Sequence, residues 1–277
     1  MTTDTTRPVD PRELRRAWRA IRAGMFTDHP AVVDSTTRPT VLAPTWTPDA
    51  DEHLLVVVGT RGGCGASTVA LGLATAAGGP ARVVQCSPLS GLESAASAEL
   101  GPDPAGWLRG SRGDVRIERC PEATTVDRIA VPAAAGCAAM TTVLDVGWRL
   151  GPVLATPGWL RRLVVSAARP VLVTEASIPG VQRLENSLAQ LDGPGPGTAP
   201  VVVVVGPPRR RWPRPVNAAL GPLTQAAADA GDLLCAPRIP TLEVTGVDPT
   251  PLPTPLLRAA ADILDRAVSP KEGPRCR

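Results

Sequence analysis

The sequence predicts a doubly wound α/β domain, a mostly parallel sheet of about six or seven strands with helices on both faces. Three observations predict it. Short apolar runs alternate along the chain with helix-like segments, which calls for parallel pairing through right-handed crossovers. The runs are near-continuous in Val, Leu and Ile, as in strands covered on both faces. The 277 residues, 43% hydrophobic and 20% charged, have the length and composition to bury a substantial core.

Taken in order, residues 1–50 stand apart. RELRRAWRAIRAGMF has helical spacing, with Leu14, Trp18, Ile21 and Met25 on one face among arginines. Such a basic helix could lie on an anionic membrane, dock on a partner protein or pack back on its own domain. The Pro/Thr-rich STTRPTVLAPTWTPDADE that follows reads as an extended linker, and this N-terminal region is expected to be partly disordered. Residues 51–270 carry the strand candidates HLLVVVG, ARVVQC, TTVLDVG, RPVLVTE, PVVVVVG and DLLCAPRIP. Between them lie STVALGLATAA, an Ala-rich middle, GWLRRLVVSAA and GVQRLENSLAQLD, and PTPLLRAAADILDRAV closes the domain. Residues 271–277 read as a disordered tail.

Composition narrows the function classes. A net charge of +3 is too small to imply nucleic acid by itself. Cys64, Cys86, Cys120, Cys137, Cys235 and Cys276 show no C-x-x-C pair and no nearby histidines, so neither a zinc site nor a disulfide framework is indicated. Small thiols in a reducing cytoplasm fit better. The polar first ten residues do not resemble a signal peptide, and runs such as APVVVVVG are too short to span a bilayer. The basic residues are almost all arginine, with Lys271 the one lysine.

The chemistry concentrates in TRGGCGASTVALGLA, a glycine-rich turn between a strand and a helix. A tight loop there turns unpaired backbone N–H groups toward one point, and with the helix dipole they attract phosphate. Gly62, Gly63 and Gly65 permit the close approach this needs. Ser67 stands where a hydroxyl ligates magnesium, with Thr68 beside it. The alternative is a glycine-rich strand–helix turn that holds no phosphate.

These residues resemble the deviant Walker A loop of the ParA/MinD family, K-G-G-x-G-K-T/S-T. VLDVGW is similar to that family's strand ending in the Walker B aspartate. RPVLVTEASIPGVQRLENSLAQL and APRIPTLEVTGVDPTPLPTPLLRAAADIL resemble the strand, helix and closing segments that follow. The resemblance covers most of 53–268. It implies a P-loop fold, ATP with Mg2+, a homodimer, and a phosphate site at Arg61, Gly62, Gly63, Cys64, Gly65, Ala66, Ser67 and Thr68. It also makes Asp145 the magnesium partner of Ser67.

The departures bear on activity. The family's first lysine, which reaches the partner subunit's phosphates, falls at Arg61, and arginine keeps that charge. The second falls at Ala66, which removes a charge-assisted phosphate contact. Gln85 and Ser87 stand where the family's two acids help position water and magnesium, and Pro88 matches; Gln85 is a weak candidate to orient a water. VVVVVGPPRRR lacks the asparagine that reads adenine. The expectation is a degenerate member, similar to the pilus-locus TadZ/CpaE-like proteins. It would bind ATP weakly or act as a pseudo-ATPase, and would scaffold a pilus, secretion or partition machinery. The rivals are an active DNA-partitioning or conjugation-associated ATPase, and a nucleotide-free interaction module. In RRRWPR, Arg209, Arg210, Arg211 and Arg214 could contact DNA phosphates with Trp212 stacking, compensate for Ala66 at a nucleotide, or form a solvated loop.

Overall fold

The structure, a computed structural model, describes residues 45–88, 91–136, 140–192 and 199–268. The expected basic helix and the 271–277 tail lie outside the described residues, as do Cys137 and Cys276. The strands are β1 (His53–Gly59), β2 (Ala81–Gln85), β3 (Ala98–Pro102), β4 (Leu108–Arg112), β5 (Val115–Arg119), β6 (Thr141–Asp145), β7 (Val171–Glu175), β8 (Val201–Val205) and β9 (Leu233–Ala236). They form one sheet in the order β3-β4-β5-β2-β6-β1-β7-β8-β9. Pairing is parallel from β5 through β9 and antiparallel for β3–β4 and β4–β5.

Helices cover both faces. Helix α1 (Ala66–Ala76) follows β1; α2 (Leu150–Ala155) and α3 (Trp159–Ser166) follow β6; α4 (Ile178–Leu191) follows β7. Then α5 (Arg214–Ala218) and α6 (Pro222–Asp229) follow β8, and α7 (Pro240–Thr245) and α8 (Thr254–Val268) follow β9. Successive β1 residues feed opposite cores. Leu55 and Val57 pack with Leu71, Leu73, Leu256 and Ile263 of α1 and α8. Val56 and Val58 pack with Val153, Leu160, Leu184 and Leu188 of α2, α3 and α4. The doubly wound class expected from the sequence is the class the chain forms. Among the described residues no helix is long and apolar enough to cross a membrane.

Nine strands replace the expected six or seven. The additional ones lie in the stretch read as an Ala-rich middle: AELGP, LRGSR and VRIER. Charged and glycine-containing edge strands give no continuous apolar run, so hydrophobic pattern does not reveal them. They are fastened by tertiary contacts instead. The Arg112 guanidinium donates to the Asp248 carbonyl at 2.7 Å and to that of Thr250.

Trp46, within the segment read as a linker, is buried and meets Trp159 edge-on with ring centroids 5.5 Å apart. It also lies beside the fully buried Arg82 of β2, whose Cζ is 5.4 Å from the Trp46 ring centroid. Arg82 donates to Thr142 Oγ1 at 2.8 Å, Glu52 at 2.8 Å, the Ala133 carbonyl at 2.7 Å and Glu118 at 3.3 Å. This ionic cluster closes the amino end of the sheet. The opposite end opens. From β1 the chain leaves toward β2 on one side, and β7 flanks β1 on the other, which is the switch point where open sheets bind ligands.

Candidate functional site

The turn after β1 is fixed from below. Thr60 donates its backbone N–H to the Val173 carbonyl at 2.9 Å and its hydroxyl to Thr174 Oγ1 at 3.0 Å. The buried Cys64 thiol donates to the Val173 carbonyl at 3.3 Å. Gly63 (φ 73°) and Gly65 (φ 90°) take left-handed backbone angles that side-chain-bearing residues adopt at a cost. A Cβ at Gly62 or Gly63 would meet nothing within 4 Å, whereas one at Gly65 would press on Val205 at 3.2 Å. The first pair therefore opens onto space and the third packs inward. Helix α1 begins at Ala66 without a side-chain cap, leaving its first N–H groups directed at that space.

The space is a cavity of about 250 Å³ at the carboxyl edge of the sheet. Every residue expected of the loop, Arg61 through Thr68, lines it, as does Asp145. The rest of its lining comes from β8, β9 and the segment after them, including Val205, Pro237, Ile239 and Leu242.

Asp145 ends β6 with no solvent exposure, and neither carboxylate oxygen has a hydrogen-bond partner. Burial pushes its carboxyl up to about 6. The Ser67 hydroxyl lies near enough to lower that value in part, but its geometry falls short of a full hydrogen bond. Gln85 stands beside Asp145 in parallel register. Its amide donates to the Ser87 carbonyl at 2.7 Å and leaves a buried Oε1 without a partner. Bare oxygen acceptors below a ring of N–H donors suit a hard cation held with phosphate oxygens. Magnesium and a polyphosphate fit this set. Ser67 and Asp145 would hold the metal, and Gly62 to Thr68 the phosphates.

Two arginines line the cavity, each paired with a carboxylate that also lines it. Arg61 grips Glu175 through two nitrogens, Nε to Oε1 at 3.1 Å and the second through Nη2 to Oε2. The Arg61 hydrogen bond holds Glu175 below the usual carboxylate range. Arg238 pairs with Glu243 at 2.7 Å. Arg238 was missed in the sequence, where APRIP draws attention only to its closing Ile-Pro.

The cluster at Arg209, Arg210, Arg211 and Arg214 does not line the cavity, which removes it as compensation for Ala66. Arg209 donates to Gln225 at 3.0 Å. Trp212 is 5% exposed and its indole donates to the Pro207 carbonyl at 2.7 Å, so the expected base stacking on it is overturned. Arg210, Arg211 and Arg214 are exposed. Of the four described cysteines, Cys64, Cys86 and Cys120 are buried thiols and Cys235 is half-buried. No group of three or more metal-ligating side chains occurs among the described residues.

No protein-family model matches the chain, and no curated protein matches it. Solved structures do. A ParA family ATPase from Chlorobium tepidum is 13% identical over 76% of this chain and 96% of its own, with a TM-score of 0.47. The MinC:MinD cell division complex of Aquifex aeolicus is 15% identical over 77% and 95%, with a TM-score of 0.48. The cell division ATPase MinD of Pyrococcus furiosus is 15% identical over 77% and 98%, with a TM-score of 0.47. Likenesses this distant assign no role to any residue.

Proposed function

We propose that the protein is a ParA/MinD-like P-loop protein with a degenerate site, a positioning or regulatory scaffold that holds Mg2+ and ATP weakly and hydrolyses ATP slowly or not at all. One observation carries the nucleotide half of that reading. The buried Asp145 carboxylate has no hydrogen-bonding neighbour but the Ser67 hydroxyl, which falls short of a full hydrogen bond, and it lines the same cavity as the glycine-rich loop. Bound magnesium would supply positive charge there, and this chain's backbone N–H groups would orient the phosphates. The degenerate half rests on Ala66, Gln85 and Ser87, which supply neither the lysine charge nor the acids that position a water.

The finer reading is a homodimer of the TadZ/CpaE-like kind that recruits a protein partner of a pilus, secretion or conjugation system, with residues 51–270 as the nucleotide domain. Calorimetric titration with ATP and ADP, each with magnesium, tests the first half, and a turnover assay the second. Sub-millimolar binding with negligible phosphate release is expected. No heat at millimolar ATP would leave a nucleotide-free interaction module. The exposed Arg210, Arg211 and Arg214 favour one second reading, an active ATPase that moves DNA. It requires turnover stimulated by DNA, with DNA binding that weakens steeply as salt rises.

A further inference from the structure

Ala66 leaves the loop one cation short, and the cavity contains a candidate replacement. The inference rests on the nucleotide reading above. We propose that Arg238 supplies to a bound polyphosphate the positive charge that the loop lacks at Ala66, from its place in the lining of the cavity that the loop shares.

Position is the first argument. Arg238 lies two residues past the end of β9 and lines the same cavity as Gly62, Gly63 and Ser67. Pro237 and Pro240 flank it, and their fixed φ angles hold the backbone from which the side chain projects. Its charge is also felt, as the weakest of the contributions, at Glu175, another residue of the cavity lining.

Freedom is the second. Arg238 is held by one ion pair with Glu243, and the two side chains are 55% and 50% exposed. Exposed pairs of that kind hold weakly and exchange readily. A polyphosphate offers a guanidinium a bidentate partner of higher charge than a carboxylate. Among the described residues, the other arginine lining the cavity is less available. Arg61 is held at two nitrogens by Glu175, whose side chain is 15% exposed. Arg209, Arg210, Arg211 and Arg214 lie outside the cavity.

The test is calorimetric titration of magnesium and ATP into wild type, Arg238→Ala, Glu243→Gln and, as a control outside the cavity, Arg210→Ala. Arg238→Ala should weaken binding by about tenfold or more, with an unchanged melting temperature without nucleotide because the side chain is exposed. Glu243→Gln should bind at least as tightly as wild type, and Arg210→Ala within about twofold of it. Wild-type binding that Arg238→Ala leaves within twofold overturns the assignment of Arg238 and spares the nucleotide reading. Absence of binding in wild type at millimolar ATP overturns both. Equal losses in Arg238→Ala and Arg210→Ala would show general surface charge at work and would also overturn the assignment.

Discussion

Two ends of one sheet take charge out of water in opposite ways. At the amino end of β2, Arg82 is wholly buried, yet Glu52, Glu118, Thr142 and the Ala133 carbonyl all accept from it. Burial pulls Glu52 upward, but hydrogen bonds from Thr142 and Arg82 and the charge of Arg82 outweigh it and leave the carboxyl below its ordinary value. At the carboxyl end of neighbouring β6, Asp145 is equally buried, and both its oxygens are bare. Its carboxyl is pushed up to about 6. The first cluster is complete without a ligand and acts as structure. The second burdens the fold, and a bound cation, which the proposed function requires, would relieve that burden.

The largest expected effect attacks the complete cluster. Arg82→Met leaves Glu52 and Glu118 buried without their cation, and should cost about 3–5 kcal/mol by urea denaturation. A loss below about 1 kcal/mol would mean that the cluster hydrates freely, and the contrast with Asp145 would collapse. The next attacks the incomplete site and carries the opposite sign. Asp145→Asn removes the buried charge, so the metal-free variant should be more stable than wild type near pH 7.5. The rise from 3.8 to about 6 sets the gain at roughly 3 kcal/mol. The folded state holds this proton more tightly than the unfolded one. The deficit of wild type in EDTA relative to the variant should therefore be absent below about pH 4, grow as pH rises through the window up to about 6, and be complete above it. Destabilisation by Asp145→Asn would show that the carboxylate already has a structural partner.

The contrast also separates what the sequence makes legible from what it hides. β1 and its loop were legible because continuous apolar residues run into spaced glycines, a pattern set by local backbone needs. Asp145 was singled out for another reason, the resemblance of VLDVGW to the Walker B strand, and its place at the end of TTVLD alone would also suit a strand-end cap. The edge strands β3 to β5 were not, since they lack a continuous apolar run and Arg112 of β4 is fixed by partners far along the chain. Arg82 gave no signal either: an arginine within ARVVQ reads as a surface residue until Glu52, Glu118 and Trp46 close around it. Trp212 misled in the opposite direction, because adjacency to arginines says nothing about which way an indole turns. Arg61 was legible as a charge at the loop, but its engagement by Glu175 depends on a residue on another strand.

That engagement sets the smallest expected effect. Glu175 occupies a place at the lip of the cavity where it acts on Arg61 as a phosphate would, as an anion. On the proposed nucleotide reading, an incoming polyphosphate would compete with it for Arg61. Glu175→Gln keeps the volume and an oxygen to accept from the Ser177 hydroxyl, now 2.9 Å away, while removing the charge. Folding stability should fall by less than about 1 kcal/mol, since the pair is partly exposed. Affinity for magnesium and ATP should rise by about three- to tenfold, the yield of releasing one arginine from a competing carboxylate. The pair also differs from the Arg82 cluster in kind, because it bridges a site that opens to solvent rather than a closed core. If Glu175→Gln binds no more tightly than wild type, Arg61 serves the lip as structure. The division between a finished end of the sheet and an unfinished one would then run between Arg61 and Asp145, within the cavity itself.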